Sequence, residues 1–116
     1  MTLKLTPEVL AGAYEYLCLC EPFCRWNLPD SEDITFRVTR HRDRMAHYCR
    51  QGTKTEIVVS SAYIGRTESL MTTMAHEMIH LHQALVGMEN AAQHNAAFRK
   101  IADHVCEIHG FDPLLF

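Results

Sequence analysis

Two histidines and a glutamate near the middle of the chain have the spacing of a metal-dependent hydrolase. His76 and His80 are four residues apart, and Glu77 directly follows the first, in the order H-E-x-x-H. On a helix, residues i and i+4 lie on one face, so the two imidazoles can bind one Zn²⁺. Glu77 lies beside that face, where it could act as general base toward a water activated by the metal. A solvated helix with a salt-bridging glutamate is the other interpretation of these three residues.

The composition predicts a globular chain without a membrane segment. The 116 residues are 47% hydrophobic and include only 5 Gly and 4 Pro, so we expect a single domain over residues 1–116. No apolar run approaches the roughly 18 residues of a membrane span, and the first residues lack a signal-peptide core. The 5 Cys are an odd number without disulfide spacing, which indicates free thiols and a cytoplasmic location.

Positive charge is concentrated in one segment of an acidic chain. The net charge is −3, yet six cations and one acid give residues 37–54 a charge of +5 and leave −8 for the rest. Such a segment is an electrostatic footprint for a polyanion such as DNA, while the solvated face of a hairpin is the alternative. The candidate DNA-contacting residues are Arg37, Arg40, Arg42, Arg44, Arg50 and Lys54.

The first half of the chain predicts one helix and a small sheet. Thr6 and Pro7 form a helix start, as N-cap and first helical residue, and the helix should end before Pro22. Residues 34–39 alternate apolar and polar side chains as on a half-buried strand. Residues 45–49 and 56–60 predict two more strands. We therefore expect about three strands, with helices packed on their apolar face.

The second half predicts two helices. Thr67 can cap the helix that carries the motif, and Gly87 can end it. Its buried stripe should consist of Leu70, Met74, Met78, Leu81 and Leu85. Asn90 can cap a last helix from about Ala91 to His109, which Gly110 would end. The inner face of this helix should consist of Phe98, Ile101, Val105 and Ile108.

A catalytic zinc needs a third protein ligand and an open coordination position. His82 is about 200° around the helix from His80 and so faces away. His94 follows His80 by 14 residues, at the predicted start of the last helix. Helices joined by a short loop pack side by side, so a histidine in that first turn can reach back. We predict His94 as the third ligand. The alternatives left open are His104, Glu89, Asp103 and Glu107.

Together these residues resemble the SprT-like family. His76-Glu77-Met78-Ile79-His80, followed by His94-Asn95-Ala96-Ala97-Phe98, is similar to the family's H-E-x-x-H and its third histidine with phenylalanine four positions later. The resemblance covers roughly residues 7–112. It implies an α+β, zincin-like fold: an N-terminal helix, a small sheet, the H-E-x-x-H helix and a C-terminal helix carrying the third ligand.

The resemblance also implies a function. The zinc ligands it implies are His76, His80 and His94, and the catalytic acid/base of the implied peptidase is Glu77. The implied substrates are proteins bound or crosslinked to DNA, which would associate the chain with the nucleoid. The chain departs from the family in Gln93 and Asn95, where small residues usually flank the third histidine. It also lacks the C-terminal zinc ribbon of many members, as would suit a minimal, phage-encoded form.

Several other polar residues have roles that the sequence leaves open. A donor for the developing oxyanion is expected near the metal, and the candidates, each also explained as structural, are Tyr48, His47 and Tyr63. Cys18, Cys20 and Cys24 lack the paired spacing of a structural zinc site, so we expect them in the core. Trp26 should be a core or lid residue. The histidines expected at the surface or at helix ends are His41, His104 and His109.

Two other classes of function remain possible on the sequence alone. One is a DNA- or protein-binding module with a structural zinc, and the other is a metal-dependent hydrolase of small amides. Glu77 favours an enzyme, because a structural site needs no general base. Removing the metal should unfold a structural module but leave a catalytic domain folded and inactive.

Overall fold

The computed structural model describes residues 3–88 and 94–116 and has the α+β architecture predicted above. In chain order, the helices and strands are α1 (Pro7–Cys18), β1 (Ile34–Thr39), β2 (Ala46–Gln51), β3 (Lys54–Ser60), α2 (Thr67–Leu85) and α3 (Ala96–His109), with short 3₁₀ turns between and after them. None of the helices in these two ranges has the length and apolar character needed to cross a membrane.

The sheet has the strand order β1-β3-β2, with β1 parallel and β2 antiparallel to the central β3. Alternation places Ile57 and Val59 of β3 on the buried face, where α1 and α2 pack. The hairpin is longer than predicted, because Gln51 pairs with Lys54 around Gly52, whose φ of +61° suits glycine. Met45, predicted in β2, precedes the strand.

α1 begins and ends as its sequence predicts. The Thr6 hydroxyl accepts a hydrogen bond from the Val9 backbone N–H at 3.1 Å, and Pro7 is the first helical residue. The helix buries Leu10, Ala13, Tyr14 and Leu17. All five cysteines are free thiols, as predicted, but the expected core placement of the N-terminal three is wrong for Cys24, which is exposed.

α2 begins one residue earlier than its predicted cap implies. Arg66, not Thr67, is the N-cap, and the Ser69 hydroxyl accepts a hydrogen bond from the Arg66 backbone N–H at 3.3 Å. The predicted stripe is buried except for Leu85, which is exposed because it lies in the last turn, beyond the core. Gly87, with φ of +75°, follows the helix as predicted.

α3 is shorter than predicted. The predicted cap Asn90 and start at Ala91 lie outside the described residues, but residues 94 and 95 are not helical. The Asn95 side-chain oxygen accepts from the Phe98 backbone N–H at 3.1 Å and caps the helix instead. His94 therefore precedes α3 and is not in its first turn. Gly110 ends the helix with φ of +77°, as predicted.

The inner face of α3 differs from the predicted one. Phe98 and Val105 are buried as expected, but Ile108 is exposed. The other buried residues of the helix are Ala102 and Cys106. Ile101 is only partly buried, so Ala102 and Cys106 take the buried positions predicted for Ile101 and Ile108.

Candidate metal centre

Three imidazole nitrogens meet beside α2. The Nε2 atom of His94 lies 3.0 Å from that of His76 and 3.2 Å from that of His80, and the two α2 nitrogens are 3.2 Å apart. Four-coordinate zinc with Zn–N bonds of about 2.0–2.1 Å separates neighbouring ligand nitrogens by about 3.3–3.4 Å. This three-histidine cluster therefore has the size and donor type to hold a metal ion.

Hydrogen bonding within the three-histidine cluster does not explain its geometry. A neutral imidazole has one N–H and one lone pair, so three rings cannot fill all three Nε2–Nε2 contacts with hydrogen bonds. A cation at the point where the nitrogens meet would satisfy all three lone pairs. The arrangement thus fits a metal ion better than it fits a hydrogen-bonded cluster.

Each ligand candidate is positioned by a local feature of the chain. His76 and His80 are one turn apart on α2, as the H-E-x-x-H spacing predicts, and His94 reaches them from the residue before the α3 cap. His80 is buried and His94 is exposed. The cluster therefore opens toward solvent on the side of His94, which leaves room for a further ligand.

Phe98 forms the floor of the three-histidine cluster. Its ring centroid lies 4.9 Å from that of His76 and 4.7 Å from those of both His80 and His94. Phe98 is fully buried in the first turn of α3, so it restrains all three rings together. Phe116 packs against His76 from another side, with centroids 5.5 Å apart, and nothing in the sequence indicated that contact.

The cluster favours neutral imidazole at His76. Burial, followed by the nearby His80, His94 and Arg99, lowers the pKa of His76 to about 3. Only the neutral ring has a free nitrogen lone pair, which is what binds a metal ion. The surroundings thus hold this residue in its ligating form.

Glu77 has an unusual environment for a carboxylate. It is only 5% exposed, and its Oε2 atom has no hydrogen-bond partner among the described residues. Burial raises the pKa of its carboxyl to about 7, against the opposing effect of the Arg44 guanidinium. A buried, unpaired carboxylate is costly for stability and is typical of functional sites.

A cavity of about 220 Å³ connects Glu77 with two of the histidines. Its lining residues are Met45, Ala46, Thr72, Thr73, His76, Glu77, His94, Leu115 and Phe116. Met45 precedes β2 and Ala46 begins it, whereas Leu115 and Phe116 belong to the C-terminal segment. No local sequence signal predicts these walls, because they belong to elements far apart along the chain.

None of the predicted oxyanion donors lines this cavity. The Tyr63 hydroxyl donates to the Arg42 carbonyl oxygen. His47 faces the other side of the sheet and lines a separate cavity. Tyr48 packs against the core. The surroundings of all three residues therefore agree with a structural role, which was the alternative to a role as oxyanion donor.

The other ligand candidates within the described residues do not belong to the cluster. His104, Asp103 and Glu107 are exposed on α3, and Glu89 lies outside the described residues. His82 stacks on Trp26, with ring centroids 4.1 Å apart. The remaining histidines with surroundings as predicted are His41, which is exposed, and His109, which lies at the end of α3.

The six predicted DNA-contacting cations are all exposed. Arg37 pairs with Glu56 at 3.3 Å, whereas Arg40, Arg42 and Lys54 make no ion pair within the described ranges. Arg40 also lines a cavity of about 830 Å³ at the start of α2, together with two cations that the sequence analysis did not select. These two are Lys4 and Arg66, and no described carboxylate lines the same cavity.

The α+β fold, with three convergent histidines on and beside an H-E-x-x-H helix, defines a zincin-like protein. The family model of the SprT-like family matches residues 14–113, and the chain belongs to the SprT-like family. No curated protein and no solved structure matches the chain in the corresponding comparisons. Family membership and the three-histidine cluster indicate a metallopeptidase-like role.

Proposed function

We propose that the chain is a zinc-dependent peptidase in which His76, His80 and His94 bind the ion and Glu77 is the catalytic acid/base. The observation that carries this proposal is the buried Glu77 carboxylate, whose Oε2 has no hydrogen-bond partner among the described residues, at a cavity that two of the ligand candidates also line. A structural zinc site has four protein ligands and no use for a base. The open side of the three-histidine cluster therefore favours catalysis.

Glu77 moves the proton in the proposed reaction. Its free Oε2 accepts the proton of the water that attacks a peptide carbonyl, and it then returns that proton to the leaving amine. A pKa of about 7 suits a group that must first accept and then donate a proton near neutral pH. When bound, zinc supplies Lewis acidity to the water and to the carbonyl.

β2 offers a place for the peptide. It pairs only with β3 among the described strands, so its other edge has backbone N–H and C=O groups that an extended peptide can pair with. Ala46, the first residue of β2, lines the same cavity as Glu77. A peptide added along this edge would lie next to the cavity that Ala46 lines together with His76 and Glu77.

The substitution Glu77→Gln tests this function. It removes the proton acceptor but keeps the size of the side chain, so cleavage of an unfolded protein should fall at least about 100-fold while the metal content stays at one ion per chain. Glu8→Gln, an exposed glutamate in the first turn of α1, is the matched control and should keep full activity. Full cleavage by Glu77→Gln would contradict the proposed mechanism.

We further propose that the substrates are proteins bound or crosslinked to DNA. The support is electrostatic: the charge of +5 over residues 37–54 and the acid-free cavity lined by Lys4, Arg40 and Arg66. Both surfaces would attract a phosphate backbone, and that attraction should weaken with added salt.

A filter-binding assay tests the DNA contact. The double variant Arg40→Glu/Arg42→Glu should bind DNA at least about tenfold more weakly at low salt. Arg25→Glu/Lys100→Glu changes the net charge equally at exposed sites outside the basic segment and should have a much smaller effect. Equal losses in the two double variants would indicate that the basic segment is not the DNA-binding surface.

A further inference from the structure

An apolar groove lies next to the metal cavity along the first half of α2. The groove has a volume of about 580 Å³. Four residues line both the groove and the metal cavity: Met45, Thr72, Thr73 and Leu115. The two spaces are therefore adjacent, and the groove lies next to the cavity that two of the predicted metal ligands line.

Exposed apolar side chains gather at this groove. The described residues include nine large apolar side chains that are exposed, and four of these line the groove: Met45, Tyr63, Leu114 and Leu115. Leu114 is 90% exposed and Leu115 is 70% exposed. Such a concentration in one place is unfavourable in water and is typical of a surface that binds an apolar partner.

The outer wall of the groove is held in place. Asp112 accepts a hydrogen bond from the Leu114 backbone N–H at 3.0 Å, and the Arg99 guanidinium donates to the Phe116 carbonyl oxygen at 3.4 Å. Phe116 itself is buried against His76 and Phe111. Leu114 and Leu115 are thus presented from an anchored turn.

We propose that this groove is the specificity pocket of the peptidase and takes a large apolar side chain, such as Leu, Phe or Met, next to the bond that is cleaved. The proposal rests on the peptidase function proposed above. Thr73 precedes His76 by three residues, about 4.5 Å along the helix axis. Neighbouring residues of an extended peptide are about 3.3 Å apart, so a side chain beside the scissile carbonyl reaches the groove.

The charges around the groove favour a neutral occupant. Its charged lining residues are Arg66 and Glu68, whose charges cancel, and the others are apolar or carry hydroxyl groups. A substrate side chain with a charge would lose hydration there without gaining a matched partner. A large apolar side chain would instead bury its own surface together with that of Leu114 and Tyr63.

Matched fluorogenic peptides test the pocket. The peptides differ only at the residues flanking the cleaved bond, which are Leu, Phe, Ser or Asp. The native chain should cleave the Leu and Phe peptides with a kcat/KM at least about tenfold above that of the Ser peptide. Leu114→Asp should remove most of this preference. Leu114 is a suitable target because it lines the groove but not the metal cavity.

Leu19→Asp is the matched control, because Leu19 is 82% exposed and lies at the end of α1, away from the groove. This variant should keep the preference of the native chain. The proposed pocket would be contradicted if the native chain cleaved all peptides equally, or if both variants changed the peptide preference to the same extent. Cleavage of an unfolded protein is measured in parallel: its presence without side-chain preference refutes the pocket alone, and its absence refutes the peptidase function.

Discussion

His80 and His82 are two residues apart on α2, yet their imidazoles have opposite surroundings. The ring of His80 points its Nε2 atom at two other imidazole nitrogens, each 3.2 Å away. The ring of His82 lies flat on Trp26, at an interplanar angle of 12°, and its buried Nδ1 has no hydrogen-bond partner among the described residues. The ring nitrogen of His80 thus faces other potential metal ligands, whereas His82 contacts its neighbour through the face of its ring.

The two surroundings extend into two clusters. In the three-histidine cluster, the nitrogens converge beside a cavity that Glu77 also lines, and the Oε2 of that carboxylate has no hydrogen-bond partner among the described residues. The second group is an aromatic cluster, formed by Phe23, Trp26, His82 and His109, in which rings contact one another. The His109 Nε2 atom there lies 2.6 Å from the Glu21 carbonyl oxygen. The direction of the ring nitrogens, more than burial, separates a candidate ligand from a packing residue.

Metal removal should produce the largest difference between the two clusters. A chelator should abolish peptide cleavage, and added Zn²⁺ should restore it, because only the three-histidine cluster depends on the ion. Trp26 is the only tryptophan of the chain, so its fluorescence reports on the aromatic cluster and should stay unchanged, as should the far-UV circular dichroism. Unfolding on chelation would identify the zinc as structural.

Truncating one phenylalanine in each cluster should separate stability from metal binding. Phe98→Ala and Phe23→Ala each remove a buried ring, so each should lower the free energy of unfolding by about 3–5 kcal/mol. Only Phe98→Ala should also weaken zinc binding, by about 10–100-fold, because Phe98, unlike Phe23, contacts all three imidazoles. Titration with zinc measures this difference in zinc affinity. Phe98→Leu and Phe23→Leu should show the same difference with a smaller loss in the free energy of unfolding. Equal zinc affinities would remove the positioning role of Phe98.

The smallest effect is expected for His82→Phe. Phenylalanine keeps the stacking on Trp26 and removes the unpaired Nδ1, so the free energy of unfolding should change by less than about 1.5 kcal/mol. Metal content and cleavage should be unchanged, whereas His80→Phe should lose both. Chemical denaturation and metal analysis provide the two readouts. A loss of metal in His82→Phe would mean that the two clusters are coupled.

Local signals explain what the sequence could predict. The Thr6-Pro7 start, the alternation over residues 34–39 and the glycines after α2 and α3 each depend on neighbours in the chain, and each prediction is confirmed. The convergence of His76 and His80 follows from helix geometry alone. His94 was predicted from the short connection between two helices, and the structure brings it to the other two.

Contacts between distant segments explain what the sequence could not predict. The parallel pairing of β1 with β3 and the central place of β3 depend on packing between elements. Asn90 and Asn95 have equal capping chemistry, so the sequence could not choose between them. Leu85 and the exposed residues of the C-terminal segment fit a buried pattern or a surface equally well until their neighbours are known. The walls of the metal cavity also depend on contacts between distant segments and so could not be predicted.

Metal analysis of the native chain beside two single variants is the most decisive test of the three-histidine site. His94→Ala removes one nitrogen of the three-histidine cluster, and His104→Ala removes an exposed histidine of α3 as the matched control. We predict one zinc ion per chain for the native protein and for His104→Ala, and a large loss of zinc from His94→Ala. Unchanged zinc affinity in His94→Ala would contradict the three-histidine site.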